Sequence, residues 1–552
     1  MTNYQFTGGT ICAPATIPGT GAISIIRVSG KESLAIADKV IDTKGVPIAE
    51  TEGYRLRYGT VFEADGSVLD NVIVSVFRAP HSYTGENSVE ISCHASRFIV
   101  NKILELLVNA GARIAAPGEF TRRAFVNGKM DLAQAEAVAD VIASQSAASH
   151  RVAMNQLKGG FSSELKVLRE KLLTMTSLLE LELDFSEEDV EFASRKELGQ
   201  LVDDSLTHIG RLTASFSRGN AIKNGVPVAI VGATNTGKST LLNALLGEER
   251  AIVSDIAGTT RDTIEETLNI DGILFRFIDT AGIRETDETI EKIGIDRTFK
   301  KLGEAAVVLG MTDLSRGEAA VLEDADFILS KVNEMGGVKN VAAVNDGSET
   351  GGTPLAGTDG ASLAGTGGAS LAETDGASQH GHGDGQERKV VILVNKCDVA
   401  GDFYRDDNGT GYGSGNDLGE NMAEIGGNKN VNHDNNIVSL IENKYDNCKV
   451  IPISAKTGKG LSTLTKTLGE IGSKITGSTD EPLVTNVRHY EALVRAASAL
   501  ERVRAGLHIA TLPPDLIAQD LREALYHLGE IVGEISTDET LGNIFRKFCI
   551  GK

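Results

Sequence analysis

Residues 226–239 read VPVAIVGATNTGKS, and this stretch decides the fold of the middle of the chain. A buried-strand pattern over 226–231 leads directly into GATNTGKS at 232–239, and an apolar helix pattern follows over 240–246. This is G-x-x-x-x-G-K-S in the strand–loop–helix setting of a P-loop. The glycines let backbone N–H groups face phosphates, while Lys238 reaches the β- and γ-phosphates and Ser239 ligates Mg²⁺. The stretch therefore predicts a nucleotide-binding α/β domain.

Three later segments indicate which nucleotide binds. DTAG at 279–282 ends an alternating strand over 273–278, NKCD at 395–398 ends an apolar strand, and SAK at 454–456 follows another. A carboxylate at Asp398 can accept both N1–H and N2–H₂ of guanine, whereas adenine has no such donor pair, so GTP is favoured over ATP. Residues 226–476 thus resemble a small GTPase domain of the translation-factor-related class.

The switch segments depart from a Ras-like enzyme. In GTTRD at 258–262, Thr260 is the expected second hydroxyl ligand of Mg²⁺. Arg261 is either an arginine finger in cis or, as we favour, a residue that orders the switch. Ile283 stands where a water-orienting glutamine would be, so another group must act. Glu285, Asp287, Glu288 and Glu291 are near in sequence.

The segments that flank this domain differ in character. Residues 1–118 alternate between strands and helices, whereas 119–220 and 481–552 have helical periodicity. The simplest arrangement inserts the GTPase domain, 221–480, between two halves of one helical domain, and the alternative is two separate bundles. Two low-complexity insertions, near 336–388 and 402–436, carry too few apolar residues to fold, so we predict that they are disordered.

Composition restricts the function classes. The chain has 552 residues with 54 Lys+Arg and 76 Asp+Glu, a net charge of −22 that disfavours unaided coating of nucleic acid. It contains no apolar run of the ~18 residues needed to span a membrane and no secretory signal pattern. Its five cysteines are scattered, which disfavours a disulfide framework or zinc finger. We therefore expect a cytoplasmic protein.

Motifs outside the GTPase domain narrow the function further. They read GAISIIRVSG at 21–30, SYTGE at 82–86 with VE at 89–90, PGEFT at 117–121, NGKMDLAQAEA at 127–137 and CIGK at 549–552. Together with the inserted GTPase they resemble the MnmE (TrmE) family of tRNA wobble-uridine modification GTPases along nearly the whole chain. The resemblance implies a multidomain α/β plus all-α fold, with an N-terminal α+β tetrahydrofolate-binding and dimerisation domain over 1–118.

The resemblance also assigns residues. In the N-terminal domain, Arg27, Glu90, Lys129 and Lys552 would contact a formyl- or methylene-tetrahydrofolate, and Cys549 would lie nearby as a chemical group or a small buried residue. In the GTPase, Glu291 would orient the attacking water. A potassium ion in place of an arginine finger would be held by Asn235, Ser254, Ile256 and Thr259, although Asn235 has the alternative of a hydrogen bond within the P-loop. The predicted GTP-binding residues are Asn235, Thr236, Gly237, Lys238, Ser239, Thr240, Ser254, Asp255, Ile256, Ala257, Gly258, Thr259, Thr260, Asp279, Thr280, Ala281, Gly282, Asn395, Lys396, Asp398, Ser454, Ala455 and Lys456.

The implied activity is a potassium-stimulated GTPase that helps add a carboxymethylaminomethyl or aminomethyl group to C5 of the wobble uridine of certain tRNAs, using a one-carbon unit from tetrahydrofolate. The family acts as a homodimer and forms a heterotetramer with a flavoprotein, MnmG, which carries FAD. One rival is a regulatory GTPase of ribosome assembly, which would need its own RNA-binding module, and no KH-like G-x-x-G loop is evident. Another is a folate-dependent aminomethyl transferase with a vestigial GTPase, which the complete P-loop disfavours.

Overall fold

The computed structural model groups the chain into two compact units. Unit 1 combines Met1–Lys223 with Thr476–Lys552, and unit 2 comprises Asn224–Ile475. The residues that the structure describes are 8–184, 194–249, 266–278, 305–334, 388–398, 437–445, 448–477, 481–508, 513–535, 538–546, 548 and 551.

Unit 1 begins with a seven-stranded sheet. Its strands are Ile11–Pro14 (β1), Ile23–Ser29 (β2), Ile41–Asp42 (β3), Arg55–Phe62 (β4), Val68–Phe77 (β5), Ser88–His94 (β6) and Arg113–Ile114 (β7), in the order β3-β4-β5-β6-β2-β1-β7. Helices Ser33–Val40 (α1) and Arg97–Asn109 (α2) cover one face. The alternation along β5 buries Val72, Val74 and Val76 completely against them, as period-two patterning requires.

Six helices follow the sheet. They are Glu119–Val126 (α3), Leu132–Ala143 (α4), Ala147–Leu157 (α5), Gly160–Asp184 (α6), Arg195–Ala214 (α7) and Phe216–Asn224 (α8). Helix α4 begins at a capping box, in which Asp131 accepts the N–H of Gln134 at 2.8 Å and Gln134 accepts the N–H of Asp131 at 3.0 Å. Two backbone donors at the helix start are thereby satisfied, which fixes where α4 begins.

Unit 2 is a six-stranded sheet with helices. Its elements are Val226–Gly232 (β8), Lys238–Glu249 (α9), Glu266–Ile270 (β9), Ile273–Ile278 (β10), Val307–Asp313 (β11), Glu318–Glu334 (α10), Lys389–Asn395 (β12), Ile437–Lys444 (α11), Cys448–Pro452 (β13) and Leu461–Thr476 (α12). The strand order is β13-β12-β11-β8-β10-β9. All neighbouring pairs are parallel except β9–β10, so the carboxyl ends of five strands lie at one edge, namely those of β13, β12, β11, β8 and β10.

The chain ends in three more helices of unit 1, Val487–Leu507 (α13), Pro514–Val532 (α14) and Asp538–Phe545 (α15). Helices α13 and α14 share one hydrophobic core with α6 and α7, which precede unit 2 in sequence. Its fully buried members include Leu165, Leu172, Val202, Leu493 and Leu521. Helices on both sides of unit 2 are therefore packed into one body.

The predicted elements agree with the structure where it describes them. The strands expected at 226–231, at 273–278 and directly before residue 395 are β8, β10 and β12, and the expected alternation of strands and helices in the N-terminal part is present. The two predicted insertions lie outside the described residues, apart from Arg388. In the described part of the chain, no helix combines the length and apolarity needed to cross a membrane.

Candidate nucleotide site and N-terminal site

The loop between β8 and α9 has the wound backbone of a phosphate-binding loop. Gly232, Asn235 and Gly237 have φ angles of +155°, +61° and +99°. A Cβ on Gly232 would lie 2.3 Å from the carbonyl oxygen of Met311 on the neighbouring strand, so glycine is required there. Asparagine tolerates the left-handed region better than most residues, which suits Asn235 to its position. The loop ends at the N-terminus of α9, where the helix dipole favours an anion.

Lys238 is the first residue of α9, and its ammonium group is turned over the loop. Its Nζ donates to the carbonyl oxygens of Gly232 at 2.9 Å and Ala233 at 2.7 Å. Burial lowers the pKa of Lys238. A bound phosphate would place negative charge beside the ammonium group and so favour its protonated form. Ser239 follows in the same helical turn, and its hydroxyl oxygen is of the hard type that Mg²⁺ prefers.

Asn395 joins the P-loop to the S-A-K segment after β13. Its Nδ2 donates to the carbonyl oxygen of Thr236 at 2.7 Å, and its Oδ1 accepts the N–H of Ala455 at 3.0 Å. The side chain is almost fully buried, and a Cβ on Gly237 would lie only 2.4 Å from its Nδ2. The second glycine of the P-loop is therefore needed to let Asn395 approach. Asn395 acts here by holding protein loops together.

The other residues predicted for the guanine site lie at the ends of β12 and β13. Lys396 has a φ of +63°, and its Nζ donates to Asp313 Oδ2 at 2.6 Å. The N–H of Cys397 donates to the carbonyl oxygen of Ile453 at 3.3 Å, which fastens the residue before Asp398 to the segment after β13. That segment is closed by Ser454, whose N–H donates to the carbonyl oxygen of Lys459 at 2.9 Å. The structure thus brings the P-loop, N-K-x-D and S-A-K segments to one edge of the sheet.

Several predicted residues lie outside the described part of the chain and remain predictions. They are Ser254, Asp255, Ile256, Ala257, Gly258, Thr259, Thr260, Arg261, Asp279, Thr280, Ala281, Gly282, Glu291, Cys549 and Lys552.

In the N-terminal sheet, Arg27 and Glu90 are direct cross-strand neighbours on β2 and β6. Arg27 Nε donates to Glu90 Oε1 at 2.9 Å. The guanidinium carbon of Arg27 lies 5.0 Å from the ring centre of Tyr83 and 5.6 Å from that of Phe120, within cation–π range. Both members of the pair are mostly buried, so the guanidinium and the carboxylate are held in fixed positions.

Two other residues of unit 1, Gly551 and Lys129, contact the Arg27–Glu90 pair or the loop before Tyr83. Arg27 Nη1 donates to the carbonyl oxygen of Gly551 at 3.4 Å, which places Gly551 beside it. Gly551 has a φ of +99°, and a Cβ there would lie 2.0 Å from the carbonyl oxygen of Pro14, so only glycine fits at this position. Lys129 is exposed, and its Nζ donates to the carbonyl oxygen of Pro80 at 3.0 Å in the loop before Tyr83.

A buried ion-pair network supports this site, and our sequence reasoning did not identify it. Glu119 accepts from Arg123 at 3.0 Å, from Arg113 at 2.5 Å and from the N–H of Ala116 at 2.9 Å. Burial alone would raise the pKa of Glu119, but the Arg113 hydrogen bond and the Ala116 N–H outweigh it and hold the pKa below its ordinary value. Arg123 also binds Glu86 at 3.0 Å. The motifs PGEFT and SYTGE both contribute residues to this ion-pair network. Some residues of these motifs therefore have a structural role, while others lie at the candidate site.

A second network was also missed. The carboxylate of Glu136 on α4 accepts from Arg488 Nε at 3.0 Å, from His489 Nε2 at 2.7 Å and from Asn486 Nδ2 at 3.0 Å. Burial by itself would raise the pKa of Glu136, but His489 and Arg488 together outweigh it and hold the pKa at about 2. Glu136 therefore fastens the start of α13 to α4.

With the geometry established, comparisons with known proteins identify the family. The "MnmE helical domain" model matches residues 132–549, and the "GTP-binding protein TrmE N-terminus" model matches 10–129. The tRNA modification GTPase MnmE of Parabacteroides distasonis is 44% identical over 546 residues, which are 98% of this chain and all of that protein. The chain belongs to the MnmE family. Another MnmE, from Porphyromonas gingivalis, is 42% identical over 554 residues, covering all of this chain and 99% of that protein.

One solved GTPase structure resembles part of this MnmE-family chain only weakly. A GTP-binding protein from Sulfolobus solfataricus, solved with GDP, covers 56% of this chain and 67% of its own at 15% identity, with a TM-score of 0.25. That likeness is too slight to support any argument, so the GTPase fold is assigned here from the strand order and the loops at the sheet edge.

Proposed function

We propose that this protein hydrolyses GTP to drive modification of C5 of the wobble uridine in certain tRNAs. The observation that carries the proposal is the meeting of the P-loop, N-K-x-D and S-A-K segments at one sheet edge, joined by Asn395, in a chain of the MnmE family. GTP hydrolysis in tRNA modification is the activity by which members of this family are named.

In the proposed nucleotide site, Asp398 selects guanine, and the loop before α9 binds the phosphates with Lys238. Ser239 and Thr260 would hold Mg²⁺, which neutralises phosphate charge when bound. Asn235, Ser254, Ile256 and Thr259 would hold K⁺, and Glu291 would orient the attacking water. Asn235 is left-handed and exposed, so its side chain is accessible to an ion, which supports the potassium role.

In the proposed folate site, Arg27 and Glu90 offer opposite charges on adjacent strands. The guanidinium suits an anionic group of a formyl- or methylene-tetrahydrofolate, and the carboxylate suits the donors of its aminopyrimidine. Lys129 and Lys552 would add positive charge. Docking of Gly551 beside Arg27 supports a role for the tail, and it would bring Cys549 near the one-carbon unit.

We also propose a homodimer that binds MnmG and tRNA in the cytoplasm. An exposed apolar patch supports the dimer: Leu56, Tyr58 and Ile73 are 66%, 66% and 47% exposed on the outer face of β4 and β5. A second copy would cover it, because monomers seldom leave such patches in water. FAD would belong to MnmG. The shared core of α6, α7, α13 and α14 supports a division into an N-terminal domain, a two-part helical domain and the inserted GTPase.

Hydrolysis assays with the purified full chain test this proposal. We expect GTP turnover to rise at least tenfold when K⁺ replaces Na⁺ at equal ionic strength, and Lys238→Ala to abolish turnover in both. Titration with 5-formyl-tetrahydrofolate should show binding that Arg27→Ala weakens while GTP turnover persists. Equal rates in K⁺ and Na⁺ would remove the potassium role, and absence of folate binding would remove the one-carbon role.

A further inference from the structure

Asp313, at the end of β11, lies outside every nucleotide-binding motif of the chain, yet its carboxylate contacts the N-K-x-D segment. It is directly in register with Asn395 on the parallel neighbour β12. Its Oδ1 accepts the N–H of Ser315 at 3.0 Å and the Ser315 hydroxyl at 2.6 Å, while its Oδ2 accepts Lys396 Nζ at 2.6 Å. The side chain is only 6% exposed. Asp313 is thus fixed by Ser315 and presents one oxygen to Lys396.

Lys396 needs such an anchor. Its φ of +63° is a left-handed conformation, which costs a residue with a Cβ about 1 kcal/mol. The neighbours of Lys396 are also fixed: Asn395 is buried, and the N–H of Cys397 donates to the carbonyl oxygen of Ile453. Asp313 binds the ammonium group at the end of the Lys396 side chain. The four-carbon stem of Lys396 therefore extends from β12 to β11. The Asp313 carboxylate is buried and the Lys396 side chain is about one-third exposed, so this pair is screened less than one in which both partners are exposed.

We propose that Asp313 is a positioning residue for guanine recognition, acting through Lys396 to hold residues 395–398 in the base-binding conformation. The proposal rests on the guanine site proposed above. In it, the anchored stem of Lys396 forms an apolar surface beside the base, and the fixed loop aims the Asp398 carboxylate at N1–H and N2–H₂ together. Burial alone would raise the pKa of Asp313, but Lys396 and Ser315 hold it below its ordinary value, so the carboxylate stays charged in neutral solution.

The consequence is a specific loss when the anchor is removed. Asp313→Asn keeps the shape but weakens the hold on Lys396, so we expect about tenfold weaker binding of GDP and GTP alike, roughly 1.4 kcal/mol. Because hypoxanthine lacks the 2-amino group, inosine diphosphate uses less of the Asp398 contact. The ratio of the GDP and IDP affinities should therefore fall in the variant, and kcat at saturating GTP should stay within twofold.

The experiment measures equilibrium binding of fluorescent GDP, with GTP and IDP as competitors, to the full-length wild type, Asp313→Asn, Lys396→Met and the double variant. Lys396→Met keeps the apolar stem but removes the ammonium, so Asp313→Asn should add little to it. Asp326→Asn is the control, because Asp326 on α10 has a pair of the same 2.6 Å length with Lys444 on α11, in which both side chains are more exposed. That control should leave every affinity unchanged.

Unchanged GDP affinity in Asp313→Asn would overturn the proposal, as would equal losses for GDP and IDP, since equal losses indicate general damage. Fully additive effects of the two substitutions would also overturn it. If Asp313→Asn does not fold, Lys396→Met alone decides, and it must lower the GDP to IDP ratio. If the wild type binds no guanine nucleotide, the proposed GTPase site itself fails, which is a distinguishable result.

Discussion

The side-chain amide of Asn395 donates to the carbonyl oxygen of Thr236 over 2.7 Å, although the two residues are 159 positions apart in sequence. Through this bond and its contact with Ala455, the phosphate loop and the base-binding loops form one connected structure. In the proposed site, the phosphate and guanine ends of a bound nucleotide would therefore be held at a set separation. Loss of the amide should affect both ends together.

Asn395→Ala should weaken GDP and GTP binding by at least tenfold, because a buried hydrogen-bonded group is removed and Thr236 and Ala455 each lose a partner. Equilibrium binding of fluorescent GDP measures the change. Asn269→Ala is the control, since its side chain accepts a hydrogen bond from the N–H of Gly272 in the β9–β10 turn of the same unit. A similar loss in both variants would mean that the effect is general destabilisation.

Gly237→Ala should abolish nucleotide binding. An added Cβ would lie 2.4 Å from Asn395 Nδ2, at a φ of +99° that alanine resists. Gly247→Ala, in helix α9, is the matched control, since a Cβ there has nothing within 4 Å and alanine favours a helix. We expect the control to bind GDP as the wild type does. Normal binding by Gly237→Ala would contradict the assigned loop geometry.

Glu136→Gln should destabilise unit 1 by about 3 kcal/mol at neutral pH, because it leaves Arg488 buried without its charge partner. The folded-state pKa of Glu136 is about 2, below its ordinary 4.5, so its contribution is full above pH 4.5 and is lost as the pH falls toward 2. Urea unfolding at pH 7 and pH 3.5 should show a smaller difference from wild type at the lower pH.

The control for this prediction is Glu491→Gln. Glu491 forms an exposed pair with Arg495 one turn along α13, which is worth at most about 0.5 kcal/mol. A pH-independent effect of Glu136→Gln would mean that the carboxylate is not held in its charged form.

Gly551→Ala should prevent the tail from docking, because its Cβ would fall 2.0 Å from the carbonyl oxygen of Pro14. Binding of 5-formyl-tetrahydrofolate should weaken severalfold, while GTP hydrolysis measured in the absence of MnmG should stay unchanged. Gly542→Ala in α15 has nothing within 4 Å of the new Cβ and serves as control. Undiminished folate binding by Gly551→Ala would separate the tail from the folate site.

Local pattern was enough to predict much of this fold. Strand β10 was expected over 273–278 from its alternation, and β8 from the apolar run before the P-loop, because period and turn chemistry are local properties. The P-loop, N-K-x-D and S-A-K residues were found because each follows a strand end. Their meeting follows from the parallel order of the strands.

Long-range pairing explains what sequence reasoning missed. Glu136 and Arg488 are 352 residues apart, and nothing in LAQAEA or NVRHYE distinguishes a buried ion pair from exposed charges. Asp313 likewise resembles any acidic residue at the end of a strand until the register with β12 is known. Such networks depend on which elements become neighbours, and that information lies outside any window of sequence.

Analysis of wobble nucleosides tests the central claim most directly. tRNA from cells lacking this gene would be digested and examined by mass spectrometry, with rescue by the wild type or by Lys238→Ala. The account predicts loss of the C5-modified wobble uridine and its return with the wild type alone. An unchanged nucleoside profile in the deletion strain would contradict the account, and rescue by Lys238→Ala would contradict the requirement for GTP.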